Sequence, residues 1–281
     1  MPELPEVEVI RRDLLKEVVG RTIDRAEVRD VPNAPRVIRR HAAPPEFTGP
    51  LAGRTINRLE RRGKYLLFHL NDHLVLVVHL GMSGQLILSS EDQPFARHTH
   101  AVLHFAGGGQ LRYVDPRTFG EMFVTEGSDL GEIPELVRLG RDPIAGELPL
   151  DYLTATFARR KTRMKPLLMD QTFICGLGNI YSDEVLFLSG IRHDRPAPAV
   201  TERETRLLHQ TIPMVLAESI ESRGSSIADE QYRDLYGEVG SYQNRLRVYG
   251  REAQPCLRCG TPIERARWSN RSTFYCPRCQ S

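Results

Sequence analysis

Apolar residues recur at Val7, Ile10, Leu14 and Val18, a spacing that predicts one buried face on a helix from Pro5 to about Val18. The rhythm then shortens to short, β-branched, alternating runs. Residues 64–70 and 74–80 flank Asn71-Asp72-His73 as a hairpin, 99–105 and 110–114 flank Gly107-Gly108-Gly109 as another, and 121–125 adds a strand. Many short strands joined by turns predict an antiparallel sandwich or barrel. Around 126–150 the text is rich in Gly, Pro and acids, as an interdomain linker would be. Helical spacing returns at 153–157, 165–170, 180–188 and 202–222. Residues 222–244 are polar and weakly periodic, the signature of a mobile loop. Near the end, 262–268 and 272–275 read as two strands closing on Ser269-Asn270-Arg271.

Composition adds limits. With 281 residues, 40% hydrophobic and 26% charged, the chain has room for two modest domains or one with an appendage. No run of about 18 apolar residues exists, so no membrane span is expected. The acidic N-terminus lacks an apolar h-region, so no secretory signal is expected and the chain is assigned to the cytoplasm. Net charge is only +2, yet residues 245–281 hold eight arginines against Glu252 and Glu264, a local net of +6 that leaves −4 for the rest. Positive charge gathered in a short tail is the footprint of a polyanion partner.

That tail also carries Cys256, Cys259, Cys276 and Cys279, two C-x2-C knuckles sixteen residues apart. Four thiolates so spaced suit one tetrahedral zinc; two disulfides or an iron–sulfur site are the alternatives. Cys175, among apolar neighbours, reads as a buried structural thiol.

The candidate chemistry lies at the other end. The chain opens Met1-Pro2-Glu3-Leu4-Pro5-Glu6. Trimming of Met1 would free a proline secondary amine, which titrates near neutrality (roughly 7.7–8.0 for an α-amino group) and collapses to an iminium after attack on a sugar carbon. The plain alternative makes Pro5 a first-turn proline and Glu6 and Glu8 acids complementing the helix dipole. Gly176-Leu177-Gly178-Asn179 is a Gly-rich turn entering a helix with Asn179 at or near its N-cap, a phosphate-binding arrangement. Lys64 starts a strand. His79-Leu80-Gly81-Met82-Ser83-Gly84 and Asp115-Pro116-Arg117-Thr118-Phe119-Gly120 are loops whose Met82, Arg117 and Phe119 could pack at home or wedge into a duplex.

Taken in order, PELPEVE, Lys64, HLGMSG, DPRTFG, GLGNIYSDE and VYGR followed by the paired knuckles resemble the formamidopyrimidine-DNA glycosylases, bacterial repair enzymes for oxidised purines, over the whole chain. The resemblance implies an α+β multidomain fold: an N-terminal two-layer antiparallel β-sandwich over 1–130, a helical helix-two-turns-helix domain over 131–244 and a zinc ribbon over 245–281. It implies Pro2 as nucleophile, Glu3 handling the proton of the opened sugar, Glu6 as a nearby structural and catalytic acid, and Lys64 and Arg271 on phosphates. DNA contacts would come from Asn179, His79, His98 and Tyr249, with Met82, Arg117 and Phe119 intercalating. One structural zinc, damaged double-stranded DNA as partner and a monomeric state follow. Thr118 departs from the pattern, since many relatives carry a second basic residue there. Two alternatives are an endonuclease VIII-like enzyme for oxidised pyrimidines, whose openings read PEGPE where this chain has Leu4, and a non-catalytic zinc-ribbon DNA-binding protein.

Overall fold

The computed structural model describes residues 2–146, 148–227, 232–268 and 270–281. Two compact units divide the chain: Met1–Val137 with Ser222–Ser241, and Arg138–Glu221 with Tyr242–Ser281. The first differs from the expected 1–130 unit in taking in 222–241, which the resemblance placed in the helical domain over 131–244. Met1, 228–231 and Ser269, on which the trimming, loop and hairpin-turn expectations partly fall, lie outside the described residues.

Helix α1 (Leu4–Glu17) buries Val7, Ile10 and Leu14 as its spacing requires, with Pro5 in the first turn, where a missing N–H costs no intrahelical bond. Strands β1 (Ile23–Val28), β2 (Ile56–Arg62), β3 (Tyr65–Leu70), β4 (Leu74–His79), β5 (Gln85–Ser89), β6 (Thr99–Phe105), β7 (Gln110–Val114) and β8 (Glu121–Glu126) follow. They form two four-stranded antiparallel sheets, β1-β6-β7-β5 and β2-β3-β4-β8. Short helices α2 (Ala34–Val37), α3 (Pro44–Thr48) and α4 (Pro134–Val137) fill the connections. One apolar cluster joins α1 to both sheets through Ile10, Leu14, Phe68, Val78, Leu103 and Tyr113, giving the expected sandwich.

The interior strands β3, β4, β6 and β7 were legible, as was the edge strand β8, whose first three residues are buried. β6 and β7 are buried at every position. The strands that the apolar pattern did not announce, β1, β2 and β5, are all sheet edges. β1 (IDRAEV) and β2 (INRLERR) carry charge on their solvated sides, which blunts an edge against further pairing and dilutes the alternation.

The expected mobile loop is, in its described part, extensively hydrogen-bonded within this unit. The Ser225 amide donates to Glu6 Oε1 at 2.8 Å and the Leu88 amide to Leu235 O at 2.9 Å. Arg223 bridges two buried carboxylates, donating to Asp13 at 2.5 Å and to Asp234 at 2.6 Å.

In the second unit α5 (Leu150–Arg159), α6 (Met164–Leu168), α7 (Asn179–Ser189) and α8 (Glu202–Glu221) precede the hairpin of β9 (Glu264–Trp268) and β10 (Arg271–Tyr275). The buried side of α8 is Leu208, Ile212, Val215 and Leu216. Helix α7 is buried from Ile180 to Phe187, a core helix rather than a surface one.

Glu8, read from sequence as a dipole complement, is instead a buried junction. Its carboxylate takes Arg11 Nη2 at 2.7 Å and Arg61 Nε at 2.9 Å, tying α1 to β2. Burial pushes the Glu8 carboxyl up, but Arg11 and Arg61 prevail and hold it at about 2, below its ordinary 4.5. A depressed carboxylate stabilises the fold above its unfolded value and loses that contribution as pH falls toward the folded one. Glu8→Gln should therefore destabilise the protein by ~2 kcal/mol at pH 7 and flatten the loss of stability between about pH 4.5 and 2. Urea titrations across that range check it; parallel curves for variant and parent would refute the role.

Candidate functional site

Pro2 and Glu3 are buried ahead of α1, with Glu3 at the N-cap. Glu3 and Glu6 form a capping box in which the Glu3 amide donates to Glu6 Oε2 at 2.8 Å. Glu6 therefore spends one oxygen on the helix start and the other on Ser225, fixing the segment that follows Pro2 to residue 225. Lys64 lies in the β2–β3 turn with Gly63, one residue before the strand it was expected to start, and Arg61, held by Glu8, also donates to Gly63 O at 3.0 Å, setting the turn that presents the lysine.

The loops after β4 and β7 are clasped together. Asp115 accepts the Ser83 hydroxyl at 2.5 Å and the amides of Arg117 and Gly120 at 3.2 and 2.9 Å. Gly81 (φ +61°) faces the Phe119–Gly120 backbone so closely that a Cβ there would collide with it, and a Cβ on Gly120 would meet the Tyr113 hydroxyl. With the bases of both loops packed, Met82 and Phe119 stand 36% and 53% exposed, and the Arg117 guanidinium lies 5.0 Å from the Phe119 ring centre. Exposed apolar tips on a fixed support suit insertion into a stacked polymer better than core packing. Thr118 is buried with φ +53°, an uncommon conformation for a β-branched residue; the side chain serves the loop's interior, not its surface.

His79 sits under these loops, its ring 4.5 Å from Tyr65. Burial, reinforced by the Lys64 cation, holds its pKa down to about 4. The Gly81 amide donates to Nδ1 at 3.3 Å, leaving Nε2–H as a neutral donor. His98 is half-buried, and its carbonyl accepts the Asp115 amide at 3.0 Å, joining its loop to the same support.

In the second unit Asn179 is the first residue of α7, next to Gly178 at the N-cap, within the expected position at or near the cap. Asn179 Nδ2 donates to the Tyr249 hydroxyl at 3.1 Å. Arg271 opens β10 and is exposed. Asp183 and Glu184 on α7 are buried to 1% and 0% exposure. Burial pushes both carboxyls up, against Lys165 and the Phe274 amide for Asp183 and against three backbone amides for Glu184.

The cysteines converge as expected. Their four Sγ atoms lie within 4.8 Å of one another, with Cys256–Cys279 at 3.9 Å and Cys259–Cys276 at 3.5 Å. A tetrahedron with zinc–sulfur bonds of about 2.3 Å has edges of about 3.8 Å, so the set fits zinc. Four thiolates close the coordination sphere, which makes the site structural. Cys175 is a separate buried thiol 3.8 Å from Asp142 Oδ2.

The structure thus brings together Pro2, Glu3 and Glu6; Met82, Arg117, Phe119, His79 and His98; and, in the other unit, Asn179 with Tyr249, and the cysteines with the hairpin of Arg271. The supporting Glu8, Asp115, Asp183 and Glu184 were missed as functional residues. Chelation should remove one zinc per chain, measured by metal analysis, and shift the emission of Trp268, the only tryptophan and a β9 residue. The β-sheet signal should persist. Unchanged Trp268 emission in metal-free protein would show that zinc does not hold the hairpin.

Residues 1–122 match the formamidopyrimidine-DNA glycosylase N-terminal domain, 139–231 the H2TH domain of the same enzymes, and 253–281 a zinc finger found in FPG and IleRS. The formamidopyrimidine-DNA glycosylase of Bacillus licheniformis is 43% identical over 281 residues, covering 100% of this chain and 99% of its own length. MutM (Fpg) from Thermus thermophilus superimposes with a TM-score of 0.88 at 40% identity, covering 99% of this chain and 98% of that one. Lactococcus lactis Fpg bound to FAPY-dG DNA gives 0.89 at 35% identity, with 99% and 100% covered. Sequence identity over the full length and the shared architecture both show that the chain belongs to the formamidopyrimidine-DNA glycosylase family.

Proposed function

We propose that this protein is a bacterial, cytoplasmic base-excision enzyme that acts as a monomer on damaged duplex DNA, removing oxidised purines and then cleaving the strand. The observation that carries it is the joining of the Pro2–Glu3 start to Ser225 through Glu6, in a chain whose full-length relatives are named formamidopyrimidine-DNA glycosylases. Lactococcus lactis Fpg has been seen with both FAPY-dG and abasic-site DNA, substrate and intermediate of such a reaction. The relatives carry the formamidopyrimidine name, which favours the purine branch over the endonuclease VIII reading, as does Leu4.

Arg271, Lys64, Asn179, His79, His98 and Tyr249 hold phosphates and sugar, contacts that position without reading sequence. Met82, Arg117 and Phe119 fill the space left by the extruded nucleotide. The Pro2 nitrogen attacks C1′, the glycosidic bond breaks, and the base leaves with the bonding electrons and takes a proton. Glu3 protonates the ring oxygen as the sugar opens, leaving an iminium between Pro2 and C1′. The iminium acidifies C2′–H; loss of that proton expels the 3′ phosphate, and a second elimination expels the 5′ phosphate. Zinc supplies only the fold of the hairpin that carries Arg271.

Borohydride should trap the protein covalently on lesion DNA, and protein shown by mass spectrometry to retain Met1 should be neither trapped nor active. Full base excision by Met1-retaining protein would eliminate Pro2 as nucleophile. Phe119→Ala should slow excision from a fully paired lesion roughly tenfold, since stacking of an aromatic on a base is worth about 1–3 kcal/mol. Cleavage at a pre-formed abasic site, which has no stacked base to extrude, should change much less. Equal losses in both assays would return Phe119 to a packing role.

A further inference from the structure

Asp183 and Glu184 are adjacent on α7, and successive helical residues point about 100° apart. Each reaches a different chain segment. Asp183 Oδ2 accepts the Phe274 amide of β10 at 2.9 Å, and Oδ1 takes Lys165 Nζ at 2.8 Å. Lys165 Nζ also donates to Ser272 O at 3.0 Å, so the ion pair grips β10 by an amide and a carbonyl. Glu184 Oε1 accepts the amides of Arg247, Val248 and Tyr249 at 3.0, 2.9 and 3.0 Å. The same helix begins with Asn179, which donates to the Tyr249 hydroxyl.

We propose that Asp183 and Glu184 are positioning residues. From one rigid helix they set the two segments that carry Arg271 and Tyr249 at fixed offsets from Asn179. The proposal rests on the phosphate-holding roles given above to those three residues. Apolar side chains would pack α7 as well and avoid burying two carboxylates, which is costly even when they are paired. They would leave four backbone amides without acceptors, in a loop and on the outer edge of a two-stranded hairpin, where no ladder supplies them. The zinc knuckles secure the far end of the hairpin; Asp183 secures the strand that begins with Arg271.

The test uses zinc-loaded full-length protein and a duplex containing a tetrahydrofuran abasic analogue, with affinity measured against salt. Arg271→Ala alone should weaken binding and lower the salt slope by about one counterion. Asp183→Asn cannot serve both Lys165 and Phe274 with acceptor oxygens. It should weaken binding about tenfold while keeping one zinc per chain, and Arg271→Ala added to it should cost less than twofold more. Tyr249→Phe added to Asp183→Asn should keep its full single-variant effect. Glu184→Gln, which sets an amide nitrogen where Oε2 accepts the Arg247 amide at 2.9 Å, should show the reverse pattern, coupling to Tyr249→Phe and not to Arg271→Ala. Acrylamide quenching of Trp268, which pairs with Arg271 across the hairpin, should rise in Asp183→Asn and not in Glu184→Gln. Additive losses in every combination, or equal quenching in both variants, would overturn the proposal. If Arg271→Ala and Tyr249→Phe alone leave affinity and salt slope unchanged, the phosphate-holding roles fail first and the proposal falls with them. Should Asp183→Asn lose zinc, Lys165→Met, which leaves Phe274 its acceptor, carries the same cycle with Arg271→Ala.

Discussion

A buried carboxylate accepting backbone amides from a segment outside any helix or sheet ladder is the interaction on which this structure depends. Glu6 holds the residue after Pro2 and Ser225; Asp115 holds Arg117 and Gly120; Glu184 holds residues 247–249. The physical reason is common to all three. Segments that carry chemistry have irregular backbone, their amides still require acceptors, and water is excluded where they pack. A carboxylate offers two oxygens and about four lone pairs, so one side chain can fix two pieces of chain at once. Charge-assisted bonds of this kind are also stronger than neutral ones, which suits positions where tenths of an ångström matter.

The same device explains what was legible in the sequence. Elements with a period announced themselves: α1, the interior strands β3, β4, β6 and β7, and α7 and α8 all lie close to where their apolar spacing put them. Edge strands β1 and β2 did not, because a strand solvated on one side and charged against further pairing carries half an alternation; β5 (QLILS) carries no charge and is simply short. The residues proposed to meet substrate stand in dense local motifs such as DPRTFG, so the tips Arg117 and Phe119 could be named. Their supports could not. Nothing in the spacing of Glu8 says that its partner is Arg61, 53 residues on, and nothing near Asp183 points to Phe274, 91 residues on. The described part of 222–241 misled for a related reason: besides its internal hydrogen bonds it is tied to α1 and β5, partners that its own sequence does not name.

Charge works at two ranges in this chain. The arginines of residues 245–281 form a field that any polyanion would feel, and exposed Arg271 and Arg267 belong to it. Arg61 is different, buried against Glu8 and unavailable to a partner. Lys165 is likewise consumed within the fold by Asp183. A count of basic residues therefore overstates what DNA meets, and burial is what sorts the binding cations from the structural ones.

The packing of Gly81 against the Phe119–Gly120 backbone separates two kinds of heritable freedom. The glycine pair and Asp115 behave as a hinge pin that tolerates almost no exchange, since any side chain on either glycine displaces the opposite loop. The exposed tips Met82, Arg117 and Phe119 bear on no such joint and can vary in size and charge without moving their mount. Divergence among relatives should therefore accumulate at those three side chains, as interchangeable bits on a common tool holder, while the backbone beneath them stays the same.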